Sequence, residues 1–351
     1  MSSPADPFLP LLAEASGHLQ AGRRQQAESI YRDLLARAPE HPVATHFLGV
    51  CLVQSGRAQE GLAALARSMH ALGAQARFRH NYALMLAQAG DPTGAERELE
   101  AAIALDPRNA ASHGYLGIVR QQAGRLEAAS AAYEAGLAVA PADPFLAANY
   151  GSCLLARGEI ERAIDWLRRA IEAAPHNPVA HNNLGSALNA AGDVRGAIAA
   201  YRKPAEVEPR YAPAWFNLGL GLRALGDESG AIEALRRAIE VGPDFAPAWQ
   251  AFADAFAKSR FVAWSAQAAA DLTRVLQHPA IDPGPLAEAA ASLLALDPAI
   301  APLMREVPAG ARLQAAAQPM LLALIENALV PDPAFEAFLR ALRASLLAAW
   351  R

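Results

Sequence analysis

Asparagine returns along this chain at one spacing. Asn81, Asn149, Asn183 and Asn217 lie on a 34-residue comb whose other members are Ala13, Phe47 and Tyr115. A carboxamide carries both a donor and an acceptor, so a row of them can pair with a peptide backbone whatever that peptide's sequence. The same amides could instead bond from one repeat to the next. Around the comb stand Asn182, Asn189, Phe145, Phe216, Trp215 and Arg223, and toward the N-terminal end His46, His80, Arg77 and Gln88. Aromatic anchors beside adaptable amides suit an extended peptide. Trp215 and Trp249 also fit an ordinary packing position.

Other chemistries are poorly supplied. His46 and His80 share a slot in adjacent repeats, and one histidine per helix layer puts them roughly 10 Å apart, too far for a common zinc without further ligands. The chain has no HExxH, no P-loop, no GxSxG elbow and no CxxC pair. The run GLGLRALG at 219–226 contains GxG but falls within a helical pattern, where its glycines serve packing and the turn. No catalytic residue, metal or cofactor is expected, and the chain reads as a non-enzyme.

The elements that carry these residues follow from four combs in phase. Pro39, Pro107, Pro141, Pro175, Pro209 and Pro243 share the 34-residue spacing, with Gly73 in the one missing place. Gly22, Gly56, Gly90, Gly124, Gly158, Gly192 and Gly226 separate paired apolar runs. Small residues sit inside each first run (Ala15, Gly49, Ala83, Gly117, Gly151, Gly185, Gly219) and each second run (Ala27, Gly61, Ala95, Ala129, Ala163, Ala197, Ala231). Both runs have helical spacing, so each unit is helix, glycine turn, helix, closed by proline. The small residues mark where paired helices cross. One hairpin cannot bury its own apolar face, whereas stacked neighbours can, which predicts an all-α solenoid.

The pattern resembles the tetratricopeptide repeat family, over residues 8–243 with a decayed eighth unit to about 279. The resemblance implies a right-handed superhelix of about seven units, starting near 8, 42, 76, 110, 144, 178 and 212, which holds a protein or peptide in the groove lined by its first helices. In that geometry the asparagine slot points into the concave surface. It resembles the asparagine ladder in the superhelix of O-linked N-acetylglucosaminyltransferases. The dense basic cluster of carboxylate-clamp repeats is absent, so capture of chaperone tails is not expected.

The composition, 53% hydrophobic but only 7% aromatic, fits helices built from Ala and Leu. A formal net charge of −4 gives no general attraction to nucleic acid or anionic membrane. Lysine occurs only at Lys203 and Lys258, an arginine bias that points to a GC-rich bacterial genome. With neither a signal peptide nor an apolar run of spanning length, a cytoplasmic protein is expected, and self-association stays open. Cys51 and Cys153 occupy one slot three units apart, beyond disulfide reach, and read as reduced packing residues.

Several irregularities carry their own expectations. Residues 1–7 form a flexible lead. Gly73 suggests a looser junction, and Pro204, inside a second helix, predicts a kink or an early end near Lys203. Residues 246–279 read as a degenerate repeat or cap with Arg260 where the turn glycine belongs, and 280–351 as a helical extension with helices near 283–296, 299–305, 310–329 and 333–350. Residues 318–347 are similar to the segment preceding methyltransferase domains in some bacterial repeat proteins. That similarity frames an alternative function: the recognition arm of a multidomain transferase, a methyltransferase or glycosyltransferase, whose catalytic domain is not in this chain.

Overall fold

A computed structural model describes residues 7–259 and 261–298, with Pro319 and Ala323. The leading segment before Pro7, the helices expected at 299–305 and 333–350, and nearly all of 310–329 lie outside the described residues. Among those described, every regular element is helical. The chain divides into two compact units, Met1–Pro175 and His176–Arg351, and the division falls at a proline of the comb.

The N-terminal unit stacks five hairpins. These are α1 (Leu9–Gln20) with α2 (Arg24–Arg37), α3 (Pro42–Gln54) with α4 (Ala58–Leu72), α5 (Ala76–Gln88) with α6 (Pro92–Leu105), α7 (Ala110–Gln122) with α8 (Leu126–Val139), and α9 (Pro144–Ala156) with α10 (Ile160–Ala173). The C-terminal unit continues with α11 (Pro178–Ala190) and α12 (Val194–Val207), α13 (Ala212–Ala224) and α14 (Glu228–Val241), and α15 (Ala246–Ala257) and α16 (Ala266–Leu276). A 3₁₀ turn at Gly284–Leu286 then leads into α17 (Ala287–Leu294), which packs on α15 and α16. Trp249, Phe252, Phe256, Leu272, Leu286 and Leu293 are buried together there, so the array ends in an apolar cluster.

Glycine does two separate jobs in these hairpins. All seven turn glycines have φ between +72° and +86°, and a Cβ on any of them would meet nothing within 4 Å. They are required by backbone handedness alone. The helix-crossing glycines are required by space: a Cβ at Gly117 would lie 2.5 Å from Tyr133, at Gly185 2.5 Å from Tyr201, and at Gly219 2.7 Å from Leu235. Large side chains of the second helix dock directly on the backbone of the first. The proline comb is tied in as well, because the Pro107, Pro209 and Pro243 carbonyls accept from His113 Nε2 (3.0 Å), Trp215 Nε1 (3.0 Å) and Trp249 Nε1 (2.7 Å).

The early end expected near Lys203 is corrected. Helix α12 continues through Pro204 to Val207, as long as α10 and α14, and the Glu208 N–H closes on the Pro204 carbonyl at 2.8 Å. Proline removes only its own N–H, and buried Pro204 and Ala205 hold the last turn in place. At the Gly73 junction α4 packs on α5 less extensively than α2 does on α3 or α6 on α7. The Gly73 carbonyl accepts from Arg79 Nε at 2.6 Å while Arg79 Nη1 lies 2.6 Å from Glu98, so one guanidinium joins the turn to α6.

Candidate functional site

The first helices of the N-terminal unit present a run of rings. Phe47 on α3, Tyr115 on α7 and Phe145 on α9 stand half-buried or exposed on the comb face, with Asn81 and Asn149 between them. The Tyr115 ring lies 5.4 Å from His80 and 5.6 Å from Phe145, which is 39% exposed. Arg77 is exposed and holds its guanidinium 4.5 Å from the centre of the Phe78 ring.

His46 is not part of that surface. It is fully buried, 4.8 Å from Phe78 ring to ring, with Nδ1 3.1 Å from Ser68 Oγ. Ser68 donates to the Leu65 carbonyl at 2.6 Å, so His46 Nδ1–H is the donor of the pair, and Nε2 is buried without a partner among the described residues. Burial, with a smaller contribution from the Arg77 charge, pushes its pKa down to about 4. The expectation that His46 contacts a ligand is therefore corrected: it is a neutral core residue. His80 is half-buried, lies 2.9 Å from Ser112 Oγ, and burial lowers its pKa too.

In the C-terminal unit the same face carries amides. Asn182 is buried and its Oδ1 accepts from Asn217 Nδ2 at 2.9 Å, a bond between consecutive first helices. Asn149, in the N-terminal unit, donates instead to the Phe145 carbonyl of its own helix at 2.8 Å. Asn81 and Asn183 are half-buried and make no hydrogen bond among the described residues, while Asn189 is exposed. The ladder is thus not uniform. Phe216 packs edge to face on Phe245, 5.3 Å away, and Arg223 is half-buried with Nη1 buried and unpartnered among the described residues.

Several carboxylates of the second helices pair with arginines of the following repeat. Glu96 on α6 takes Arg120 Nε at 2.9 Å and Arg125 Nη2 at 2.5 Å, and Glu28 pairs with Arg57. Arg125 and Arg57 respectively hold these carboxyls below the usual carboxylate range. In the C-terminal unit fully buried Asp271 accepts from Arg236 Nε (2.9 Å), Arg236 Nη2 (2.8 Å) and Gln267 Nε2 (3.2 Å). Sequence reasoning passed over Asp271, although an aspartate inside the apolar run AAADLTRVL is a readable signal for a buried pair. Both cysteines are free and buried. Among the described residues no three His, Cys, Asp or Glu side chains gather as a metal site, and no helix is long and apolar enough to cross a membrane.

Family profiles described as the tetratricopeptide repeat match residues 18–80 and 154–218, 83–144 and 116–178, and 212–255, together more than half of the sequence. The chain belongs to the tetratricopeptide repeat family. Among solved structures it is similar to a chain of the APC/C hetero-tetramer Cut9–Hcn1, with 18% identity and a TM-score of 0.61 over 72% of this chain and 50% of that one. It therefore spans half the length of that relative. It is also similar to a tetratricopeptide repeat protein from Parabacteroides merdae ATCC 43184, with 14% identity and a TM-score of 0.58 over 70% of this chain and 97% of the other. At such identities the likeness speaks for the fold. Among curated proteins nothing matches.

Proposed function

We propose that this tetratricopeptide repeat chain is a non-enzymatic scaffold whose first-helix face binds an extended peptide or a partner helix. One observation supports the reading above others: among the described residues the Asn81, Asn183 and Asn189 side chains on the first helices make no hydrogen bond and Arg223 Nη1 is buried without a partner, while the Phe145 ring is exposed. Free amides beside half-exposed rings give backbone pairing and apolar anchorage together. In this reading residues 8–245 are the repeat array and 246–279 a degenerate repeat or cap. The test is a pull-down from a lysate of the source organism with wild-type chain and with the Asn81→Ala, Asn183→Ala, Phe145→Ala variant. A partner held by the wild type and lost by the variant at unchanged melting temperature supports the proposal. A partner retained in full overturns it.

A further inference from the structure

Charge is sorted between the two helices of the second to seventh repeats, although α1 carries Glu14 and α15 carries Asp254. The chain has 35 aspartates and glutamates, yet α3, α5, α7, α9, α11 and α13 contain none. Their only arginines are Arg77, Arg79, Arg120 and Arg223. Arg79 lies 2.6 Å from Glu98, and Arg120 lies 2.9 Å from Glu96 and 2.7 Å from Glu100, so both are neutralised by second helices. Arg77 and Arg223 have no carboxylate partner among the described residues. Arg77 precedes Asn81 by one helical turn, and Arg223 closes the stripe Phe216, Leu220, Arg223, so each stands beside the ring and amide groups of its own unit. A guanidinium nitrogen buried without an acceptor is costly, and an incoming carboxylate relieves that cost with charge-assisted bonds.

Given the reading above that this face carries a peptide, we infer that its peptide ligands are acidic: an extended segment on the C-terminal unit pairs an aspartate or glutamate side chain with Arg223, and one on the N-terminal unit pairs in the same way with Arg77. A face stripped of carboxylates repels no acidic ligand, although the chain as a whole is acidic. Nucleic acid would also meet these arginines. The two arginines of this face without a carboxylate partner, on a chain of net charge −4, supply too little counterion release to hold a phosphate backbone there.

The test begins with random dodecapeptides displayed on phage and selected on the full chain. Recovered peptides are then synthesised with each Glu or Asp replaced by Gln or Asn and titrated by fluorescence anisotropy. Enrichment in acidic residues is expected. Neutralising the residue that meets Arg223 should weaken binding about tenfold on the wild type and hardly at all on Arg223→Gln. Arg77→Gln provides the same comparison on the N-terminal unit, and circular dichroism checks that each variant is folded. Neutral or basic peptides would overturn the acidic ligand and leave peptide binding standing. No enrichment at all, or a single-stranded oligonucleotide binding tighter than any recovered peptide, would overturn both.

Discussion

The two units share one hairpin and furnish it differently. In the N-terminal unit the first helices show Phe47, Tyr115 and Phe145 with Asn81 and Asn149, and His46 and His80 are seated on serines; in the C-terminal unit they show Asn183, Asn189 and Asn217 with Phe216, and Asn182 is buried. Beneath these faces the crossings are alike, since Tyr133 covers Gly117 as Tyr201 covers Gly185. Positions that set the stack are therefore uniform, and positions that meet neighbours or ligands vary. What distinguishes the units energetically is where each has buried its polar groups.

The largest difference lies in the buried ion pair of the C-terminal unit. Asp271→Ala leaves Arg236, 15% exposed in its side chain, without its main acceptor, and removing one partner of a buried pair costs about 3–5 kcal/mol. Hydrogen exchange should lose protection in α14 and α16 while α1–α10 keep theirs. Uniform loss along the whole chain would mean that the two units are not separable in stability.

Acid should strike the other unit first. The pKa of His46 falls from 6.5 in the unfolded chain to about 4 in the fold, so unfolding takes up protons between those values. The stabilisation is complete above pH 6.5 and erodes as pH falls toward 4, by about 2 kcal/mol at pH 5. Ser68, Phe78 and Arg77 surround the ring, and none offers an acid that would offset the cost. His80 shifts in the same direction and adds to the effect. Urea midpoints at pH 7 and pH 5 measure the loss, and His46→Asn should remove most of the pH dependence. An equal loss in that variant would place the titrating group elsewhere.

These contrasts mark what could be read from residues alone. The hairpins and their turns were legible because a left-handed turn demands glycine, and a close helix crossing demands a small residue, regardless of what the neighbours carry. The site was legible only as a slot. Whether an amide in that slot is free depends on a side chain from its own helix or the next repeat: Phe145 offers a carbonyl to Asn149, and Asn182 offers Oδ1 to Asn217. His46 looked like a surface residue because Ser68, the group that lets it be buried, lies on no comb. Pro204 looked like a break because propensity was weighed without the packing around the last turn.

The smallest effects are the most telling for the ladder. Asn217→Ala removes the donor to buried Asn182 and should cost about 1–2 kcal/mol, the usual penalty for stranding a buried acceptor. Asn183→Ala, one residue after Asn182 and with no side-chain hydrogen bond among the described residues, should change stability by no more than about 0.5 kcal/mol. If the amides served only to join repeats, both substitutions would spare ligand binding, and only the first would register in a melting curve. If Asn183 pairs with a ligand backbone, its loss should weaken binding several-fold at unchanged melting temperature. Denaturation and anisotropy on this one pair of variants therefore separate an amide that holds the fold from an amide that waits for a guest, within a single unit and on neighbouring first helices.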